Sequence, residues 1–226
     1  MSLYLGIDCG TQSLTAIVIE IDGGTRRVVF NQSINYDREL PEYGTSGGVV
    51  YGIDGHVHAP PAMWADALDR MMARIARAAE IDVENIRAIA GSAQQHGSVY
   101  LNRRAADVWR GVDPLLPLAP QLQGMFSRDR SPVWMDATTA AQCREIDAAL
   151  GGPDRMKALT GSPACERFTG PQIRRFFQQQ PDAYHQTARV HLVSSFLASL
   201  LTGGDAPIDP CDGSGMNLME IGRAHV

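Results

Sequence analysis

Apolar positions over the first 35 residues fall into the short runs of β-strands. Leu3-Tyr4-Leu5-Gly6-Ile7 is apolar and ends at Asp8. Next, Leu14, Ala16 and Val18 alternate with Ile17, Ile19 and Ile21, so both faces of this strand are mostly apolar and the pattern predicts burial on both sides. Asp22-Gly23-Gly24 is a hairpin signal, and residues 27–34 return as a third strand. Three antiparallel strands are therefore expected to open the chain.

Residues 36–60 carry no period and read as loop. Pro61 then suits the first turn of a helix, with Trp64, Leu68, Met71, Met72, Ile75 and Ala79 on one face. Residues 86–90 predict a strand, broken by Gly91-Ser92-Ala93-Gln94-Gln95-His96-Gly97 and resuming over 98–101. Residues 102–132 show no sustained period. Pro132-Val133-Trp134-Met135 predicts a short strand ending at Asp136. The remainder predicts helices. Thr139, Cys143, Ile146 and Leu150 share one face, closed by Gly151-Gly152; Ile173, Phe176 and Phe177 mark a second helix between Pro171 and Pro181; Leu192, Phe196, Leu197, Leu200 and Leu201 mark a third, closed by Gly203-Gly204. Strands first, then helices around further strands, predict a mixed α/β domain.

Composition narrows the class. The 226 residues are 44% hydrophobic and 20% charged, enough apolar material for a core. The net charge of -5 argues against nucleic acid or an anionic membrane as partner. The most apolar stretch, over 192–201, is too short to span a bilayer, and the N-terminus lacks the basic flank of a signal peptide. The four cysteines, at 9, 143, 165 and 211, show no CxxC spacing, so neither a disulfide framework nor a zinc site is expected and the cytoplasm is the expected compartment. Nothing in the sequence speaks to oligomeric state.

Five segments could carry chemistry. Asp8-Cys9-Gly10-Thr11-Gln12-Ser13 brings a carboxylate to a strand end, followed by a turn that can aim N–H groups and hydroxyls at a phosphate; an ordinary polar hairpin turn accounts for the same residues. Gln94-Gln95-His96-Gly97 offers two amides and an imidazole, groups that both donate and accept and so suit sugar hydroxyls; a core-satisfied histidine in a strand-end turn is the plainer reading. Asp136 fits a pocket carboxylate or the N-cap of the next helix. Arg167 offers a planar fork of donors or is a surface arginine. Asp209 and Asp212 lie in a Gly/Ser loop whose residues also suit a plain turn.

In order along the chain, these motifs resemble the FGGY family of carbohydrate kinases. Gly6-Ile7-Asp8-Cys9-Gly10-Thr11-Gln12-Ser13 looks like the first phosphate motif shared by sugar kinases, actin and Hsp70 chaperones. Ala93-Gln94-Gln95-His96-Gly97, Pro132-Val133-Trp134-Met135-Asp136, Glu166-Arg167-Phe168-Thr169-Gly170 and the run from Pro207 to Leu218 narrow the resemblance to the xylulose-phosphorylating branch that includes the animal members.

The resemblance implies an actin-like ATPase (ribonuclease-H-like) fold, a mixed sheet with helices on both faces. It implies ATP and Mg2+ as cofactors and a sugar as substrate. Asp8 would hold the metal; Gly10, Thr11 and Gln12 would face the transferred phosphate; Gln95, His96, Asp136 and Arg167 would bind the sugar. Kinases for ribulose or glycerol, and a non-catalytic actin-like binding protein, are the rival readings. Residues 1–221 would form the N-terminal domain. Residues 222–226 do not resemble the family and read as foreign sequence. The family's second domain, with its adenosine site and catalytic base, is expected to be absent, so no residue of this chain is assigned as the base.

Overall fold

A computed structural model describes residues 2–220; the terminal segment 222–226 lies outside the described residues. The first three strands are β1 (Ser2–Cys9), β2 (Ser13–Asp22) and β3 (Thr25–Asn35). β1 pairs antiparallel with β2, and β2 with β3, as the alternation and the Asp22-Gly23-Gly24 turn require. The first helical turn, α1 (Tyr36–Glu39), leads into β4 (Val50–Tyr51) and β5 (Val57–Ala59). Then comes α2 (Pro61–Arg77), with proline in its first turn and Met63, Trp64, Leu68, Met71 and Ile75 buried. β6 (Ile86–Ala93) returns to the main sheet and lies parallel to β1, giving the order β3-β2-β1-β6.

β7 (Ser98–Asn102) leaves that sheet and pairs with a later strand. Residues 102–132, unreadable from periodicity, hold α3 (Ala105–Gly111) and α4 (Leu118–Gln121), followed by β8 (Ser131–Pro132). The helical part comprises α5 (Ala140–Leu150), α6 (Pro153–Thr160), α7 (Thr169–Gln179) and α8 (Pro181–Gln186). β9 (Thr187–Leu192), the partner of β7, runs directly into α9 (Val193–Thr202), and α10 (Pro210–Gly213) is a final turn. Among the described residues no helix is long and apolar enough to cross a membrane.

Helices α2 and α9 pack together on one face of the main sheet. That face buries Leu3, Leu5, Ile7, Cys9, Leu14, Ala16, Val18, Phe30 and Ile34 in one core. The opposite face differs from the expectation of helices on both sides. There Tyr4 and Asp8 are exposed, and Thr15, Ile17 and Ile19 are only half-buried. Alternating apolarity in β2 thus marks a strand with one closed and one open face. The predicted strand over 132–135 also differs. Only Ser131 and Pro132 are extended, and they pair with β5 in a small separate sheet rather than joining β1. The pairing carries on to one further bond, Val133 N–H to the Val57 carbonyl at 3.3 Å, before the chain turns and Asp136 N–H donates back to the Val133 carbonyl at 2.9 Å.

Candidate functional site

Two ends of parallel strands build the site. β1 ends at Cys9 and β6 at Ala93, and these two residues are register partners, so the turns that follow emerge side by side. In the first turn, Gly10 N–H donates to the Ser13 carbonyl at 3.0 Å. Asp8 stands exposed just before it, with one carboxylate oxygen accepting from the Ser92 hydroxyl of β6 at 2.6 Å. A Cβ at Gly10 would stand 3.6 Å from the other oxygen and 3.4 Å from the Ser13 carbonyl, so glycine keeps room beside that oxygen.

The phosphate-type turn is held from below. The Tyr36 hydroxyl donates to the Gly10 carbonyl at 3.3 Å and meets the Cys9 thiol at 3.2 Å; Tyr36 N–H donates to the Gln12 carbonyl at 3.1 Å. Burial pushes the Cys9 thiol up to about 12, so it is not a nucleophile despite its place beside Asp8. From the side, Gly48 has φ +77°, and a Cβ there would lie 1.9 Å from the Thr11 carbonyl oxygen. The Asp37 carboxylate fixes this approach by accepting from Thr45 Oγ1 and from the N–H groups of Gly47 and Gly48, at 2.7, 2.6 and 3.0 Å.

The second turn places His96 at φ +66°, an uncommon conformation for a residue with a Cβ, of the kind concentrated at ligand sites. Its Nδ1 lies 3.0 Å from the Gly215 carbonyl. A carbonyl only accepts, so Nδ1 carries the proton and Nε2 presents a lone pair. Burial, with Arg167 nearby, holds the imidazole below its ordinary range and keeps it neutral, although the Gly215 bond acts the other way. Phe168 packs against the ring at a centroid distance of 4.6 Å. A Cβ at Gly215 would come within 3.1 Å of the imidazole, so the Gly/Ser loop after Asp212 serves as the wall behind His96.

These parts surround a cleft of about 460 Å³ lined by Asp8, Gly10, Thr11, Ala93, Gln94, Gln95, His96, Trp134 and Arg167. Five of the expected site residues thus converge beside Asp8: Gly10, Thr11, Gln95, His96 and Arg167. Gln12 does not line the cleft; its side-chain nitrogen lies on the Gly47 side of the turn. Of the lining residues not singled out individually by sequence, two carry polar side-chain groups. Trp134 Nε1 donates to Thr11 Oγ1 at 2.9 Å, which leaves the Thr11 proton free for an acceptor in the cleft. Gln94 is 9% exposed, and neither its Oε1 nor its Nε2 has a hydrogen-bond partner. An unpaired buried polar group costs about 1–3 kcal/mol.

Asp136 departs from its expected place. Its side chain is 1% exposed, and its carboxylate accepts from Val57 N at 3.2 Å, from Thr138 N at 3.0 Å and from the Thr138 hydroxyl. It also meets His56 Nδ1 at 3.2 Å, while His56 Nε2 meets the guanidinium of the buried Arg175. Burial alone would raise this carboxyl; the Thr138 and Val57 hydrogen bonds outweigh it and hold the group below the usual carboxylate range. The side chain faces a second cleft, lined by His56, His58, Arg128 and Arg130 among others, and not the cleft of His96. Nor is it the cap of α5, whose N-cap is Thr139; the carboxylate caps the turn before it. Asp209 and Asp212 are committed too, the first to Cys211 N at 2.8 Å and the second to the Ser194 hydroxyl.

The three-strand antiparallel sheet extended by a parallel strand, with a polar cleft at the strand ends, is the actin-like ATPase fold as it occurs in sugar kinases. The xylulose kinase from Rhodospirillum rubrum superimposes with a TM-score of 0.75 at 18% identity, over 98% of this chain and 39% of that one. The gluconate kinase from Lactobacillus acidophilus does so with a TM-score of 0.73 at 16% identity, over 99% and 37%. The model of the FGGY family of carbohydrate kinases, N-terminal domain, matches residues 3–110. The xylulose kinase of Mus musculus is 43% identical over 224 residues, covering 96% of this chain, and xylulose kinase 2 of Arabidopsis thaliana is 42% identical over 222 residues, covering 97%. The chain belongs to the FGGY family of carbohydrate kinases. It spans 39% of the length of each of these two relatives.

Proposed function

We propose that the chain is the N-terminal, sugar-binding part, residues 1–221, of an ATP-dependent kinase that converts D-xylulose to D-xylulose 5-phosphate. The observation that carries this reading is the convergence in one cleft of a strand-end carboxylate, a glycine turn, a neutral imidazole and an arginine without an ion-pair partner among the described residues. The fold leaves the substrate open, since it is shared with a gluconate kinase. The choice of D-xylulose is supported by the relatives named for it, which match nearly the whole chain.

The residues divide the work by chemistry. Asp8 supplies hard oxygens, one fixed by Ser92 and one beside the open Gly10 position, a donor set that suits Mg2+ held through water. When bound, that ion would neutralise charge on the transferred phosphoryl group. Thr11 donates its hydroxyl proton toward phosphate oxygens, and the backbone of Gly10 to Gln12 follows the same surface. His96 Nε2 accepts from a sugar hydroxyl, while Arg167 and Gln95, both exposed at the rim, donate to others. Asp136 is assigned to holding the segment that carries Trp134. A cytoplasmic setting fits the ATP requirement and four cysteines that are all free.

Among the described residues Asp8 is the one carboxylate lining the cleft and is assigned to the metal, so no carboxylate is left there to take the proton of the attacking hydroxyl. Base catalysis contributes about 10²–10⁴-fold. The expected result is therefore no measurable turnover by this 226-residue chain and weak sugar binding. A coupled ADP-release assay with D-xylulose and magnesium-ATP checks it. Turnover of roughly 1–100 per second, the ordinary kinase range, would overturn the assignment and make Asp212 the first residue to mutate.

A further inference from the structure

We propose that the second cleft, between β5 and the segment carrying Arg128 and Arg130, binds a small phosphate monoester through guanidinium groups that the fold leaves free. The site is separate from the sugar cleft and stands whether or not a sugar binds there. Its volume is about 460 Å³, within the roughly 300–1,000 Å³ of small-molecule sites. Strand alternation builds one wall. In β5, Val57 and Ala59 are buried, so His58 turns to the opposite side, and His56, two residues earlier, lines the same cleft. The spacing of the two histidines suits a metal, but both lone pairs are taken. His56 Nδ1 meets the Asp136 carboxylate, which only accepts, so Nδ1 carries the proton and Nε2 accepts from Arg175. His58 Nε2 lies 2.8 Å from Arg130 Nη1; a guanidinium only donates, so Nε2 is the acceptor and the proton sits on Nδ1.

The charged acceptors are spent as well. The Asp136 carboxylate accepts from Val57 N, Thr138 N and the Thr138 hydroxyl, which leaves Asp129, an exposed carboxylate at the rim, as the one without a partner. Donors are left over. Among the described residues neither Arg128 nor Arg130 has a carboxylate within salt-bridge reach. Arg130 is exposed, and Arg128 is held against the rings of Tyr100 and Phe176, its Cζ 5.3 Å from each centroid. The field between them is positive: after burial, Arg130, Arg128 and His56 all lower His58, against Asp136 alone, and bring it to about 4. The fitting ligand therefore brings acceptors and negative charge. Phosphate oxygens only accept, guanidinium forks meet them bidentately, and a dianion matches two free guanidiniums. A monoester keeps that charge and three oxygens, and its organic part meets the exposed amides of Gln179 and Gln180 on the far wall.

The test titrates the full 226-residue chain with glycerol 3-phosphate and with inorganic phosphate, followed by NMR at constant ionic strength. A pH of about 7.5 keeps the ester a dianion. Expected are shifts confined to residues 56–58 and 127–131 and a dissociation constant of about 1 mM or tighter for the ester. Arg130→Gln, an exposed change, should weaken binding roughly tenfold. Asp129→Asn removes a like charge and should tighten it about two- to fivefold. The bound anion should also raise the titration midpoint of His58 from about 4, which screening by matched sodium chloride would not do. Arg167→Met should leave the affinity unchanged. No binding at about 20 mM ester, or unchanged affinity in Arg130→Gln, would overturn the proposal. So would weaker binding in Asp129→Asn, and so would loss of binding in Arg167→Met with shifts around His96, which would put the anion in the sugar cleft. Inorganic phosphate should bind at least about threefold more weakly than the ester; equal affinity would overturn the choice of a monoester in favour of free phosphate.

Discussion

The segment over 133–136 contributes to two clefts, Trp134 to one and Asp136 to the other, and the two pair their central groups, His96 and Asp136, to different extents. Around the Asp136 carboxylate capacity is used up, although Arg128 Nη1 in the same cleft is buried with no partner among the described residues. The carboxylate has partners on Val57, Thr138 and His56, and Arg175 continues the chain to His56 and Thr138. Around His96 capacity is left over. Gln94 has two free ends, Nε2 of His96 has no protein partner, and Arg167 has no carboxylate within salt-bridge reach among the described residues. Buried polar groups destabilise a fold unless paired. A carboxylate paired on every side holds structure together, and a cleft that leaves its imidazole and guanidinium open keeps capacity for a ligand.

The largest way to break this comparison is Asp136→Ala. It strands His56 and Arg175 beside an emptied position, and the expected loss is about 3–5 kcal/mol of unfolding free energy, read by urea titration. Preserved stability with lost sugar binding would instead move Asp136 into the sugar site. Next comes Gly48→Ala, which places a Cβ 1.9 Å from the Thr11 carbonyl oxygen at φ +77°. The backbone must shift, and about 2–3 kcal/mol of destabilisation is expected. The change in His96 and Gln94 amide chemical shifts should be smaller than that at Gly10 and Thr11.

A smaller effect comes from acid. Burial, then the Arg130 guanidinium at 2.8 Å, lowers His58 from 6.5 to about 4. The unfolded chain therefore takes up the proton first, and stability present above about pH 6.5 is lost as pH falls toward 4. His96 and His191 are lowered as well and act with the same sign. The lowered Asp136 carboxyl adds a further loss below that window, because it must be protonated as pH falls through its folded value. Urea midpoints across this range should fall with pH, and His58→Asn should flatten part of the slope. The smallest stability effect is that of Arg167→Met. With the arginine exposed and unpaired, a change within about 0.5 kcal/mol is expected, set against a clear drop in sugar affinity by calorimetry. Loss of stability there would place Arg167 with the paired cluster and erase the contrast.

Much of this was legible along the chain because it is local. The three opening strands follow from alternation and the Asp22-Gly23-Gly24 turn, and α2 follows from a 3.6-residue stripe after Pro61. The strap of residues 131–138 was not. Trp134 and Asp136 share a strand-like motif in sequence, yet the pairing with β5 ends at Val133 and the next residues turn, which sends one side chain to each cleft. The pair of glutamines shows the same limit. Gln94 and Gln95 are chemically identical, and the fold buries the first, whose N–H donates to the Cys9 carbonyl, and leaves the second exposed.

By itself, then, the sequence determined the strand order at the start, the stripe of the long helix, the glycine turn after Asp8 and the family motifs, all of which act between near neighbours. Tertiary structure decided which groups meet. Register between β1 and β6 brings Asp8 to Ser92 across 84 residues. The loop at Gly215 closes on His96 across 119 residues, and the Asp37 cradle presses Gly48 against Thr11. Whether a polar side chain is paired depends on what the fold brings within about 3 Å of it, and residue type carries no record of that.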